Sequence, residues 1–199
     1  MQTFSLSSFL KICLLDPTRQ VSEVQKKLSS SGGYDYYRTL TLAIHAKAQG
    51  RSEDEIVDIL ESPSSPAEQL RNTSAYNAFV RKYGAKNGLS VFTKPRTVSP
   101  KDGNFLIKIA PTFSIETQSS SKVYAIWAMQ TPPMTPAGGA LACYIMKNAY
   151  RKTSSANSEF FIEDLVGRKA YSEKQIKNST ALTFSSVVQT ISRLIDQCS

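Results

Sequence analysis

The chain has 199 residues, of which 41% are hydrophobic and 20% charged, enough apolar material for one folded core and too much for an intrinsically disordered segment. Its 24 Lys and Arg outnumber 16 Asp and Glu, and division at residue 100 leaves +4 in each half (13 against 9, then 11 against 7), so the basic character is not a tail. One histidine excludes any two-histidine metal site, and three distant cysteines without a C-x-x-C pair fit neither a disulfide framework nor a zinc site, which leads us to expect a reducing, cytoplasmic setting.

The N-terminal stretch is apolar at Phe4, Leu6, Phe9, Leu10, Ile12, Leu14 and Leu15. Lys11 interrupts it and no small-residue cleavage site follows, so it does not read as a secretory signal; no run anywhere reaches the roughly 18 apolar residues of a membrane span. Exposed on the surface, Phe4 to Leu15 would form a docking helix for a partner. Val21, Val24 and Leu28 then stand at helical spacing, Ser29 to Gly33 break the pattern, and Tyr37, Leu40, Ile44 and Ala48 resume it up to Gly50. Ser52 with Glu55 forms a capping box opening a short helix that buries Ile56, Ile59 and Leu60 before Pro63. Ser65, Pro66 and Glu68 repeat that start signal, and Leu70, Tyr76, Phe79, Val80 and Tyr83 mark the apolar side of the next helix before Gly84.

Beyond Gly84 the period changes. Leu89 to Thr93 is a weak strand, and Phe105, Ile107, Ile109, Phe113 and Ile115 alternate along what reads as one half-buried strand kinked at Pro111. Gln118 to Ser121 is a polar hairpin turn. Val123 to Met129 is apolar on both faces, as in the middle of a covered sheet. Pro132-Pro133 ends it, and Thr135-Pro136 opens a helix to about Tyr150 whose Gly138 and Gly139 permit close approach to the sheet. Phe160 to Ile162 and Arg168 to Tyr171 read as strands across a Val166-Gly167 turn, and Val187, Val188, Ile191, Leu194 and Ile195 define a final helix. The order predicts an α+β protein, a helical N-terminal half followed by a small mixed or antiparallel sheet flanked by helices. Its expected organisation is a helical subdomain over 1–84 and a sheet-and-helix subdomain over 85–199, packed as one unit.

The strongest functional signal lies between Glu68 and Asp102, where Arg71, Arg81, Lys82, Lys86, Lys94, Arg96 and Lys101 occur without an acid and are interleaved with Tyr76, Phe79, Tyr83 and Phe92. Positive potential beside flat apolar faces suits a nucleic-acid-binding or other polyanion-binding surface. Lys147, Arg151 and Lys152, and later Arg168, Lys169, Lys174 and Lys177, would extend it or cap helix dipoles. The first expectation is therefore a non-enzymatic intracellular protein that binds nucleic acid or another polyanion. A protein-interaction adaptor for an acidic partner is an alternative.

Catalytic signatures are sparse. His45 lies in a helical stretch without a nucleophile motif nearby, Cys143 sits among apolar residues as a structural thiol, and neither Gly32-Gly33 nor Gly138-Gly139 has phosphate-loop spacing. Glu116, Glu159, Glu163, Asp164 and Lys169 form the one acidic set of interest, because strand-end acids beside a lysine can hold Mg²⁺ and activate water for phosphodiester cleavage. The strand, hairpin, strand, helix, strand order over Leu89 to Tyr171 resembles the core of restriction-endonuclease-like nucleases. Those enzymes place an acid, any residue and a lysine on a core strand after a separate aspartate; here the corresponding strand, Val123 to Met129, carries no acid. The resemblance implies either an inactive relative or a metal-dependent nuclease whose site has moved to Glu163, Asp164 and Lys169.

Overall fold

Amphipathic spacing, caps and turn residues divide the chain into an α+β fold, 52% helical and 19% strand, in a computed structural model that describes residues 1–29, 35–118 and 120–198. The N-terminal stretch starts as strand β1 (Gln2–Ser5) and continues as helix α1 (Leu6–Leu14), whose first turn is capped by Ser5 accepting the Ser8 N–H at 3.1 Å. Phe4, Phe9 and Leu10 are fully buried, and both Phe rings pack on Phe105. The expectation of a docking helix over Phe4 to Leu15 is thereby corrected: these side chains are core, because β1 pairs in parallel with a later strand and pulls α1 inward.

Helices α2 (Pro17–Ser29), α3 (Arg38–Ala48), α4 (Glu53–Glu61) and α5 (Pro66–Tyr83) follow. The Ser52/Glu55 capping box opens α4 as expected. The second start signal works differently: Ser65 makes no side-chain cap, and Pro66 at the first helical position, which lacks the N–H that would need one, begins α5. Glu68 is buried. The Gly32-Gly33 pair lies outside the described residues, as does Ser119 in the expected hairpin turn.

Strands β2 (Leu89–Val91), β3 (Arg96–Val98), β4 (Phe105–Ile109), β5 (Phe113–Glu116), β6 (Ser121–Trp127), β7 (Glu159–Asp164) and β8 (Lys169–Ser172) complete the set, with α6 (Pro136–Tyr150) between β6 and β7 and α7 (Asn178–Cys198) at the end. They form two sheets, in the orders β1-β4-β3 and β2-β5-β6-β7-β8. The kinked strand expected over Phe105 to Ile115 is really β4 and β5, on different sheets, because Pro111 cannot continue a ladder and redirects the chain. β3 lies inside the basic stretch that reads as loop; it is a three-residue strand with two exposed residues, without the alternation that marks a half-buried strand.

β6 is the middle strand of the larger sheet, antiparallel to β5 and parallel to β7 through the α6 crossover. It is apolar on both faces because both are covered. Val123, Ala125 and Trp127 join Phe160, Ile162 and residues of α1, α6 and α7 in one core cluster. Tyr124 joins Phe113, Ile115 and residues of α3, α4 and α5 in the other. α6 is capped by Thr135, which accepts the Gly138 N–H at 3.0 Å. It lies so close to β8 that a Cβ on Gly139 would overlap the Tyr171 ring.

Candidate functional site

Successive residues of a strand face opposite ways, and that alternation decides what the acids of β7 can do. Glu163 points toward α5, where it is 1% exposed and accepts two bonds from Lys82 Nζ, at 2.7 and 2.8 Å, and one from the Tyr83 hydroxyl at 2.5 Å. Asp164 faces the other side of the sheet. Its Oδ1 accepts the Val166 and Gly167 N–H groups at 3.1 and 2.8 Å and ties down the β7–β8 turn. Lys169 is its cross-strand neighbour. The three candidate catalytic residues therefore do not converge: Glu163 is separated from Asp164 and Lys169 by the sheet, and each carboxylate is occupied structurally. Glu159 is exposed, and Glu116 accepts a bond from Ser121 at the far end of β5. Among the described residues no group of three or more His, Cys, Asp and Glu side chains is placed to hold a metal ion.

Burial raises the pKa of Asp164, against the pull of the Gly167 and Val166 amides and of Lys169. The Tyr83 hydroxyl is pushed far above its usual value, first by burial and then by the Glu163 carboxylate, so it stays protonated and donates. Lys82 lies both in the basic stretch and on the acid set, which makes it the point where the two candidate sites meet.

All seven cations of the basic stretch are solvent-exposed, and among the described residues Lys82 alone of them has a carboxylate partner at ion-pair distance. They do not form one cluster. Arg71 lies over the Tyr36 ring, 5.9 Å from its centroid. Arg81 and Lys82, in the last turn of α5, join Arg168 of the β7–β8 turn around a cleft of about 270 Å³ with Glu163 beside them. Arg168 is held at φ +54°, a left-handed conformation made possible by the hydrogen-bonded turn before it. Lys86 sits in the turn after α5, Lys94 donates to Ser154 at 3.3 Å beyond the end of α6, Arg96 lies on β3, and Lys101 occupies the β3–β4 turn. Of the four aromatic residues expected to interleave with them, Tyr76, Phe79 and Tyr83 are core, and Phe92 is partly buried against the Tyr150 ring.

A second cleft, of about 950 Å³, opens over the C-terminal end of β6 between α1, α2 and the start of α3. Its floor includes Ala125, Ile126 and Trp127, and its walls carry Tyr36, Tyr37, Lys11, Lys26, Arg71 and Lys108. Glu23 engages Lys11 at 2.7 Å and Lys26 at 3.5 Å, whereas Arg71 and Lys108 have no carboxylate partner among the described residues. Trp127 is 1% exposed, and its buried Nε1–H finds no acceptor among the described residues. An unmet buried donor costs about 1–3 kcal/mol. Sequence reasoning missed this cleft because its parts come from seven separate segments. The available signals were the lone tryptophan and the Tyr36-Tyr37 pair just after the Ser/Gly break.

His45 and Cys143 take structural places. His45 is half-buried on α3, where Nε2–H donates to the Thr112 carbonyl at 3.0 Å, and burial lowers its pKa. Cys143 is fully buried, and burial pushes its thiol up to about 12, so it is no thiolate nucleophile at neutral pH. Among the described residues no helix is long and apolar enough to cross a membrane. No protein-family model matches the chain, and no curated protein matches it.

Proposed function

We propose that the protein binds nucleic acid, or another polyanion, through its exposed and unneutralised cations, without a catalytic role. One observation carries this reading: of the seven exposed cations between Glu68 and Asp102, six, all but Lys82, have no carboxylate partner among the described residues. Surface acids pair readily with neighbouring lysines elsewhere in the chain, as at Glu23, Glu53 and Glu173, so this stretch keeps its charge available for an external anion. Arg168, Arg151 and Lys152, also exposed and without an ion-pair partner among the described residues, add to the same potential.

The test is an anisotropy titration of short single- and double-stranded DNA and RNA at two salt concentrations. Each phosphate neutralised on a duplex contributes about 0.9 to the slope of log K against log salt. Charge reversal at Arg81, Lys86 and Arg96 should weaken binding and lower that slope by about 2.7 if all three meet phosphates. Lys82 is left intact, because a glutamate there would face buried Glu163 and disturb the fold. Binding that is unchanged in the triple variant, or absent at low salt, overturns the reading.

A further inference from the structure

We propose that the larger cleft binds a nucleoside phosphate, with its base at the Trp127 floor and its phosphate between Arg71 and Lys108. The site is separate from the Arg81 and Arg168 cleft, and it stands whether or not long polyanions bind there.

Three features narrow the ligand. The volume of about 950 Å³ is at the upper end of the range for small-molecule sites and leaves room for one nucleotide. The rim supplies two cations with no carboxylate partner among the described residues, one on α5 and one on β4, and Arg71 is already oriented over the Tyr36 ring. An arginine so placed presents a planar fork to a phosphate. The third feature is Trp127, a residue of the floor whose buried indole N–H has no acceptor among the described residues. Indole is a donor only, so a partner that meets it must bring an acceptor. Ring nitrogens and carbonyls of a nucleobase do so. An acyl chain, which the same apolar floor and basic rim would otherwise admit, leaves the donor unmet. Tyr36 and Tyr37, partly exposed on the wall, offer aromatic faces beside the base.

The nucleotide could be free or one unit of a single strand, and Trp127, the sole tryptophan, reports on both. Its fluorescence would be followed during titration of the full chain with AMP, UMP, adenosine, inorganic phosphate, dodecanoate and a short 5′-phosphorylated oligonucleotide. We expect a saturable change with AMP or UMP, and at least about tenfold weaker binding of adenosine, of phosphate, and of AMP to the R71E/K108E variant. Both substituted side chains are exposed, so the variant should fold. A response to the oligonucleotide without one to the mononucleotides would assign the site to a strand. Equilibrium dialysis of AMP with Trp127→Phe supplies a second readout, and binding as tight as to the unmodified chain would overturn the role given to the indole N–H. Silence with every nucleotide ligand, a response to dodecanoate alone, or AMP binding untouched by R71E/K108E would overturn the proposal. Anisotropy binding that persists in R71E/K108E while Trp127 stays silent would reject this site and leave the polyanion reading in place.

Discussion

Glu163 shows what one buried carboxylate demands. An ionised side chain at 1% exposure is tolerated only with its lone pairs met, and Lys82 and Tyr83, adjacent at the end of α5, meet them from one side. Tyr83→Phe keeps the ring against Phe113 and Tyr124 but removes a donor to a charged group. It should cost about 1.5–3 kcal/mol, measured by chemical denaturation. His45 gives a second residue-scale expectation, with a definite sign. Burial lowers its folded pKa below the ordinary 6.5, so the unfolded chain takes up the proton first. Stability from this group is present above 6.5 and is lost as pH falls from there through the lowered folded value. His45→Gln keeps a donor for the Thr112 carbonyl without titrating, so its stability should be flat over that interval in denaturation curves at successive pH values.

Elements were legible in the sequence where a local signal had no competitor. The Ser52/Glu55 box, the Thr135-Pro136 start and the two-faced apolar run of β6 each rest on residues that act within their own segment. What could not be read was set by distant partners. β1 is a strand because β4 lies beside it, β4 and β5 separate because each finds a different sheet, and the aromatic side of α5 is core because Phe113 and Tyr124 face it. The same division holds for the candidate sites: the cations were visible as a run, but their dispersal, the tie from Lys82 to Glu163, and the cleft over β6 depend on the tertiary arrangement. Gly139 is a case in which sequence and packing agree. A methyl there meets the Tyr171 ring, so Gly139→Ala must push α6 away from β8. Overpacking of this kind costs about 1–3 kcal/mol and should appear as a lowered melting temperature with unchanged helix content.

At the scale of the whole molecule, a net charge of +8 attracts anions over the entire surface, so weaker binding after any single charge reversal says little about where a ligand sits. Coupling between positions is more informative. Arg81 and Arg168 are 87 residues apart in sequence yet line one cleft, whereas Lys101 lies in the β3–β4 turn, next to the smaller sheet. Sites that share a ligand group interact energetically, and sites that share none add. If a phosphate is held between the two arginines, Arg81→Ala and Arg168→Ala should be non-additive in binding free energy, with a coupling of about 0.5–3 kcal/mol, while Arg81→Ala and Lys101→Ala should add within about 0.5 kcal/mol. Anisotropy titrations of the single and double variants at one fixed salt concentration give both quantities. Additivity in both pairs would mean that the cations act only through the overall field, and the Arg81 and Arg168 cleft would then be no more than a place where charge happens to gather.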